Sequence, residues 1–379
     1  RNPMTARFTR HSMVLCMPPT SEEAMSTIFG SIISGFLQKF KQEILGLSQS
    51  VVTSTIELYN RCGDDLLPTP TRPHYTFNLR DVSKVFQGLL MVKPMHVPNA
   101  DSFTRLWFHE LSRVFADRLI CTEDKDWFFK ATAELLKSRF RIPDVHPEVW
   151  LRVMWCDFLR PGADARVYEE SKDWTKVQKL LEDYNDDYNL CHTAQMNLVF
   201  FKDCLEHISR IARIFRQPRG NMLLVGVGGS GRSSCARLCA CMSEAAEFEV
   251  ALSKGYGIEA FREDEKKFLI SAGGADNKST MFLMSDTQII NETFVEDLNN
   301  ILNAGEVPNL FPNDEMDRII GDIRPRAKET GRSEARDAVW LYFVECLRDN
   351  LHIVLTMSPV GSALRVRMRM FPAHRRHRE

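Results

Sequence analysis

With 379 residues and a formal net charge of −1, the chain has the length for two or three domains, each able to bury a core, and its near-neutral balance gives no global reason to expect nucleic acid or a membrane surface as partner. Ten cysteines without a CxxC pair favour reduced thiols in the cytosol over a disulfide framework or a zinc site. No apolar run approaches the roughly 20 residues of a spanning helix, and the first residues lack a signal-peptide plan.

The chain opens RNPMTARF, without a methionine at its first position and without a domain start, and so reads as part of a longer polypeptide. Thr20 and Glu23 form a capping box, and Met25, Ile28, Phe29, Ile32, Ile33, Phe36 and Leu37 recur at helical spacing, which predicts one long helix over 20–49. A second helix is expected over 51–62. After the break PTPTRP, Asn78 with Asp81 can cap a third helix running to Leu90. Helices over 102–119 and 125–140 complete an all-helical block, IPDVHP and Pro161-Gly162 read as connectors, and a long helix over 195–215 ends at Pro218-Arg219-Gly220. From there the pattern changes. NMLLVGV is a short apolar strand, a glycine loop follows, and a helix over 232–243 opens directly from it. FEVALS, MFLMSD and LHIVLTM are further strands, with IEAFREDEKKFLISAG and FVEDLNNILNAG as helices between them. Strands alternating with helices specify a parallel sheet covered on both faces. The predicted fold class is α/β, an all-helical block followed by a phosphate-loop, parallel-sheet module with helices on both faces.

The loop GVGGSGRSS, residues 226–234, can be parsed in two ways. Gly226-x-Gly228-x-x-Gly231 is a dinucleotide fingerprint, whereas Gly226-x-x-x-x-Gly231-Arg232-Ser233 is a phosphate loop with arginine in place of lysine. Both use the same physics, since glycines let the backbone wrap phosphate oxygens and a helix N-terminus offers free N–H groups to negative charge. An NAD site also needs an acid at the end of its second strand. Here FEVALS runs into Ser253-Lys254, with Glu247 and Glu249 at its beginning; NADP, with Lys254 for its extra phosphate, stays open. The phosphate-loop parse needs a basic side chain and a hydroxyl after the last glycine, met by Arg232 and Ser233, and an aspartate closing a later apolar strand to orient Mg2+, met by Asp286. Two separate matches favour it. Each element has a plainer counterpart: the glycines can form a mere tight turn, Asp286 can cap a loop, and Arg232 can be a solvated charge, although a cation at a helix N-terminus calls for an anion nearby.

The runs NMLLVGVGGSGRSSCARLCACM, SKGYGIEAFREDEKKFL, MFLMSDTQI, FVEDLNNILNAGEVPNLFP and LHIVLTMSPVG resemble the fourth AAA+ module of axonemal dynein heavy chains. RNPMTARFTRH and HYTFNLRDVSKVFQGLL resemble the end of the third. The resemblance extends to about Pro372. It implies a division into 1–160, the C-terminal part of the third module; 161–194, a connector; 195–372, the large subdomain of the fourth; and 373–379, a divergent basic tail. It also implies a piece of a ring-shaped, minus-end-directed microtubule motor of cilia and flagella, in the cytoplasm, cytoskeleton and axoneme. Its implied partners are neighbouring modules of the same heavy chain, with intermediate chains, light chains and microtubules reached through other regions, and neither nucleic acid nor membrane. Carried over by position, Gly226, Val227, Gly228, Gly229, Ser230, Gly231, Arg232 and Ser233 form the Walker A loop for ATP or ADP, and Asp286 and Ser233 face Mg2+. Ser358 takes the sensor-I place. Arg367 and Arg369 are finger candidates toward the preceding module's nucleotide, Arg7 and Arg10 the same from the third module toward the second, and Arg80 the sensor-II candidate.

Two departures shape the expected chemistry. In an active site of this family a glutamate follows the Walker B aspartate and activates water; here Thr287 stands there, and its hydroxyl takes no proton near neutral pH. Arg232 is a planar fork where lysine is a point charge. The expectation is a regulatory site that holds nucleotide and hydrolyses it slowly or not at all, within an ATPase parent. The alternatives are a stand-alone nucleotide-binding or scaffold module and an NADP-dependent oxidoreductase. Finally, HRRHRE stands where an apolar strand is expected, and reads as an alternative end rather than a tubulin-attracting tail. The sheet should then lack its final strand and the chain be poorly soluble by itself.

Overall fold

The computed structural model describes residues 4–69, 71–72, 74–162 and 166–371. In the first half α1 (Glu22–Leu37), α2 (Ser48–Asp65), α3 (Leu79–Leu89), α4 (Ala100–Val114) and α5 (Thr122–Arg139) surround a core that includes Phe29, Ile33, Leu58, Phe86, Trp107 and Phe115. The α3 start is the box the sequence spells: Asn78 Oδ1 accepts from Arg80 N and Asp81 Oδ2 from Asn78 N, both at 2.9 Å.

The single helix expected over 20–49 is broken. Ser21, not Thr20, is the cap, its Oγ accepting from Ala24 N at 3.2 Å, and α1 stops at Leu37. The reason lies in its buried stripe of Met25, Phe29, Ile33 and Leu37, whose next step would carry the Lys41 ammonium into the core. The chain turns instead, and Lys41 Nζ donates to Pro98 O at 2.7 Å.

The second half contains β1 (Met154–Cys156), β2 (Glu169–Ser171), α6 (Trp174–Cys191), α7 (Lys202–Arg216), β3 (Met222–Val225), α8 (Arg232–Met242) and β4 (Ala246–Glu249). It continues through α9 (Ile258–Gly273), β5 (Thr280–Ser285), α10 (Glu292–Ala304), α11 (Asn313–Glu329), α12 (Arg336–Asn350), β6 (Leu351–Met357) and α13 (Ala363–Met370). Four strands form a parallel sheet in the order β3-β6-β5-β4. Alternate side chains leave a strand on opposite faces. Phe282, Met284, Ile353 and Leu355 pack with α9, α10, α11 and α12, and Met281, Leu283 and Val354 with α6, α7 and α8.

Three expectations need adjustment. The stretch 161–194, read as a connector, carries β2 and α6, and Val177, Leu181 and Tyr188 of α6 are buried. The helix expected over 195–215 begins only at Lys202. The strand expected at FEVALS is Ala246–Glu249, two residues earlier. The tail 373–379 lies outside the described residues, among which β3 forms one edge of the sheet.

The hairpin β1–β2 joins the halves. Trp155 enters the helical core, whereas Met154 and Cys156 enter the core beneath α7 and α8. Beside it, Glu110 of α4 is fully buried and accepts from Arg213 Nη2 of α7 and from the Tyr168 hydroxyl, both at 2.6 Å. A Cβ at Gly88 would collide with that carboxylate. Gly88→Ala is therefore expected to lower the thermal midpoint, since overpacking of this kind costs about 1–3 kcal/mol; calorimetry showing an unchanged midpoint would mean that Glu110 has room to move aside.

Candidate functional site

Because the sheet is parallel, the C-terminal ends of β3, β6 and β5 lie side by side on one edge, where the loops leaving them meet. In the first loop Gly229 and Gly231 both have φ of +76°, left-handed backbone that glycine adopts freely. Side chains added at Gly228 or Gly229 would meet nothing within 4 Å, so this backbone is open. Gly231 starts α8 without a side-chain cap, which leaves N–H groups at the helix start for an anion.

The loop is tied to its neighbours in series. Gly226 N donates to Met357 O at 3.2 Å, and the Arg232 guanidinium donates to the same carbonyl. One residue on, Ser358 N donates to Asp286 Oδ2 at 2.8 Å. Two consecutive residues at the end of β6 thus connect the glycine loop to the aspartate that closes β5. Past Asp286, Thr287 is exposed and its Oγ1 shares a hydrogen bond with Ser285 Oγ at 2.8 Å. Gln288 Nε2 donates to Val250 O at 2.9 Å and to Glu249 Oε1 at 3.1 Å. Glu249 is further engaged by Arg237.

This donor set fits a magnesium–nucleotide: backbone amides for phosphate oxygens, and the hard oxygens of Asp286 and Ser233 for the metal. Arg232 is the exception. A Cβ at Gly226 would lie 3.3 Å from Arg232 Cδ, so the arginine stem crosses the loop's first glycine, and its guanidinium must leave Met357 O before it can reach a phosphate.

Strand order removes the dinucleotide parse. In a Rossmann unit the strand after the first helix lies beside the glycine-loop strand. Here β4 lies at the far edge, with β6 and β5 between it and β3. β4 does end in an acid, Glu249, contrary to the expectation from FEVALS, but Arg237 and Gln288 occupy it.

The remaining arginines are dispersed. Arg367 of α13 donates to Glu292 Oε1 at 2.9 and 3.1 Å, and Arg369 is exposed. Arg7 and Arg10 are exposed in and just after the turn Ala6–Thr9. Arg80 lines a cavity of about 610 Å³ between α3 and the sheet module, together with Lys84, Arg219, Arg348 and Asp349; Arg219 Nε donates to Asp349 Oδ1 at 2.8 Å. Sequence reasoning did not single out Arg219 or Arg348, because only the packing of the two halves brings them to Arg80.

Two family models match the chain, P-loop containing dynein motor region D4 over residues 196–378 and dynein heavy chain ATPase lid domain over residues 32–125. Dynein axonemal heavy chain 6 of Homo sapiens is 47% identical over 378 residues, covering 98% of this chain and 9% of its own length. The chain belongs to the dynein heavy-chain family. Dynein axonemal heavy chain 1 of Mus musculus is 41% identical over 386 residues, with 98% and 9% covered. The dynein-1-beta heavy chain of the flagellar inner arm I1 complex of Chlamydomonas reinhardtii is 41% identical over 377 residues, with 98% and 8% covered. This dynein sequence therefore spans less than a tenth of these curated relatives. Membership carries the AAA+ dynein fold and an axonemal, cytoskeletal setting with it.

Proposed function

We propose that this chain is a nucleotide-holding, regulatory part of an axonemal dynein motor, with ATP or ADP and Mg2+ in the loop 226–233 and slow or no hydrolysis. The observation that supports it most is the tie from Gly226 and Arg232 through Met357 and Ser358 to Asp286. The open backbone at 228–231 and the start of α8 would take the phosphates, and Asp286 with Ser233 would hold Mg2+, which when bound neutralises phosphate charge. Thr287 offers no base for an attacking water, so the ligand persists. Residues 1–160 then belong to the third AAA+ module and 195–372 to the fourth, with neighbouring modules as direct partners. Intermediate chains, light chains and microtubules are partners of the whole motor, whose ATPase-driven, minus-end-directed movement belongs to the parent protein.

A second observation favours a role for the cavity at Arg80. With Lys84, Arg219 and Arg348 against one acid, Asp349, it suits the phosphates of a nucleotide held by the preceding module, with Arg80 as sensor II. Arg367 and Arg369 follow the C-terminal end of β6, whereas the cavity lies at its N-terminal end, so their finger role toward the preceding module's nucleotide is proposed apart from the cavity and requires Arg367 to release Glu292.

Titration with fluorescent mant-ADP is expected to show saturable, Mg2+-dependent binding that Gly231→Val abolishes. Thr287→Glu is expected to raise phosphate release roughly 10²-fold, the low end of what a positioned general base contributes. Absence of binding, or rapid phosphate release by the unaltered site, would contradict the proposal.

A further inference from the structure

Cys204 is the third residue of α7 and Cys235 the fourth of α8, each is 8% exposed, and both lie in the core between the two packed helices. One turn further along each helix Cys239 Sγ meets Ile208 O at 3.6 Å, which sets the turn of Cys235 against the turn of Cys204. Cys235 is also part of the glycine loop's own architecture. Its N–H donates to Gly231 O at 2.8 Å, and its Sγ lies 4.0 Å from where a Cβ on Gly231 would sit. We propose that Cys204 and Cys235 are a reversible disulfide site that clamps the phosphate-loop helix to α7.

The two sulfurs divide the chemistry. Interaction with Cys235 lowers the Cys204 thiol from its ordinary value, while interaction with Cys204, together with burial, pushes Cys235 up. Each thiol sits in the first turn of its helix, whose N-terminus favours a thiolate, so it is their mutual interaction that separates them. Cys204 is thus the nucleophile and Cys235 the resolving thiol. With hydrogen peroxide as oxidant, the Cys204 thiolate attacks one oxygen, the O–O bond breaks, and hydroxide leaves and takes a proton to become water. Cys235 then attacks the resulting sulfenic sulfur, an S–S bond forms, and the sulfenic hydroxyl leaves as a second water with the Cys235 proton. Two thiols are oxidised and one peroxide is reduced. Cys239, one turn further along α8, is fully buried, donates from Sγ to Ile208 O at 3.6 Å and is pushed up by burial, so it stays outside the exchange.

The bond draws the first turn of α8 toward α7 and holds Gly231 in place, so oxidation lowers nucleotide affinity. That consequence rests on the phosphate-loop reading; formation of the bond does not. The test uses the whole chain with the exposed thiols removed by Cys16→Ser and Cys191→Ser, treated with hydrogen peroxide and digested without reductant. Mass spectrometry is expected to find the peptides of Cys204 and Cys235 linked, two hydrogens lighter than the pair, released by dithiothreitol, and absent after Cys204→Ser or Cys235→Ala. Affinity for mant-ADP should fall on oxidation, return with dithiothreitol, and be unmoved by peroxide in either variant. Peroxide that oxidises Cys121 or Cys346 and yields no linked peptide overturns the proposal, and a linked peptide with unchanged affinity overturns the clamp. If the reduced chain binds no mant-ADP, the phosphate-loop reading fails, while the linked peptide still judges the thiol pair.

Discussion

Arg213→Ala is expected to lower the unfolding free energy by about 3–5 kcal/mol, the cost of leaving a buried charge without its partner. The partner is Glu110, whose Oε2 accepts from Arg213 Nη2 at 2.6 Å and Nε at 3.1 Å. The carboxylate is fully buried, and the arginine is 3% exposed. Once the guanidinium is gone, the Tyr168 hydroxyl is the remaining hydrogen-bond donor to this buried charge among the described residues. Replacing both partners, Glu110→Leu with Arg213→Met, is expected to recover most of the loss, because a packed apolar pair removes the desolvation penalty along with the attraction. Urea denaturation of the two variants and the parent checks both statements. A single-variant loss below about 1 kcal/mol, the worth of an exposed pair, would mean that solvent enters the seam. α4 belongs to the helical half and α7 to the sheet half, so hydrogen exchange in the Arg213 variant should quicken on both sides of the seam.

The second large effect has the opposite sign. Glu265 of α9 is fully buried, and neither carboxylate oxygen has a hydrogen-bond partner among the described residues. Burial, with Asp297 adding to it and Arg262 opposing, pushes its pKa from 4.5 up to about 9. The folded chain therefore favours the protonated acid. Stability from this group is complete below pH 4.5 and is lost as pH rises from there toward 9. At pH 7 the loss comes to about 3 kcal/mol, at roughly 1.4 kcal/mol for each pH unit above the unfolded value. Glu265→Leu, which substitutes an apolar side chain among Phe261, Phe268 and Leu269, is expected to raise the urea midpoint at pH 7 and to flatten the fall in stability between pH 5 and 8. Part of the slope should survive through Asp297, which burial also pushes up despite the Arg262 pair. Equal slopes for parent and variant would show that Glu265 is ionised in the fold.

The elements most legible in the sequence were those whose ends are chemically marked. LHIVLTM is β6 to the residue because both of its faces are covered, so every position is apolar or a pairable polar group. The α3 box and the glycine loop likewise declared themselves through side chains that act on their own backbone. Less legible were helices whose signals conflict. In α11 the internal Pro325 and Gly321 read as breakers, although Ile319, Ile320, Ile323 and Ala327 line a buried face. In α6 the acids of LEDYNDDY hide the spacing of Val177, Leu181 and Tyr188. For the site, Asp286, Arg232 and Ser233 could be named from the local pattern alone. The bond from Ser358 to Asp286, the retention of Arg232 by Met357 O, and the meeting of Arg219 and Arg348 with Arg80 depend on strand order and on the docking of the two halves, which local spacing does not encode.

Alternation along β1 has a consequence for how this polypeptide can be divided. Trp155 belongs to one core, while its neighbours Met154 and Cys156 belong to the other, so scission near residue 160 parts the ribbon's two antiparallel members. Each product would carry a half-ribbon with one naked flank, the N-terminal one with Met154 and Cys156 stripped of the core they enter and the C-terminal one with Tyr168 stripped of the helical core. Recombinant dissection should therefore treat the lid and the sheet that follows it as inseparable, and shortened forms ending between the two ribbon members should precipitate where forms retaining both do not.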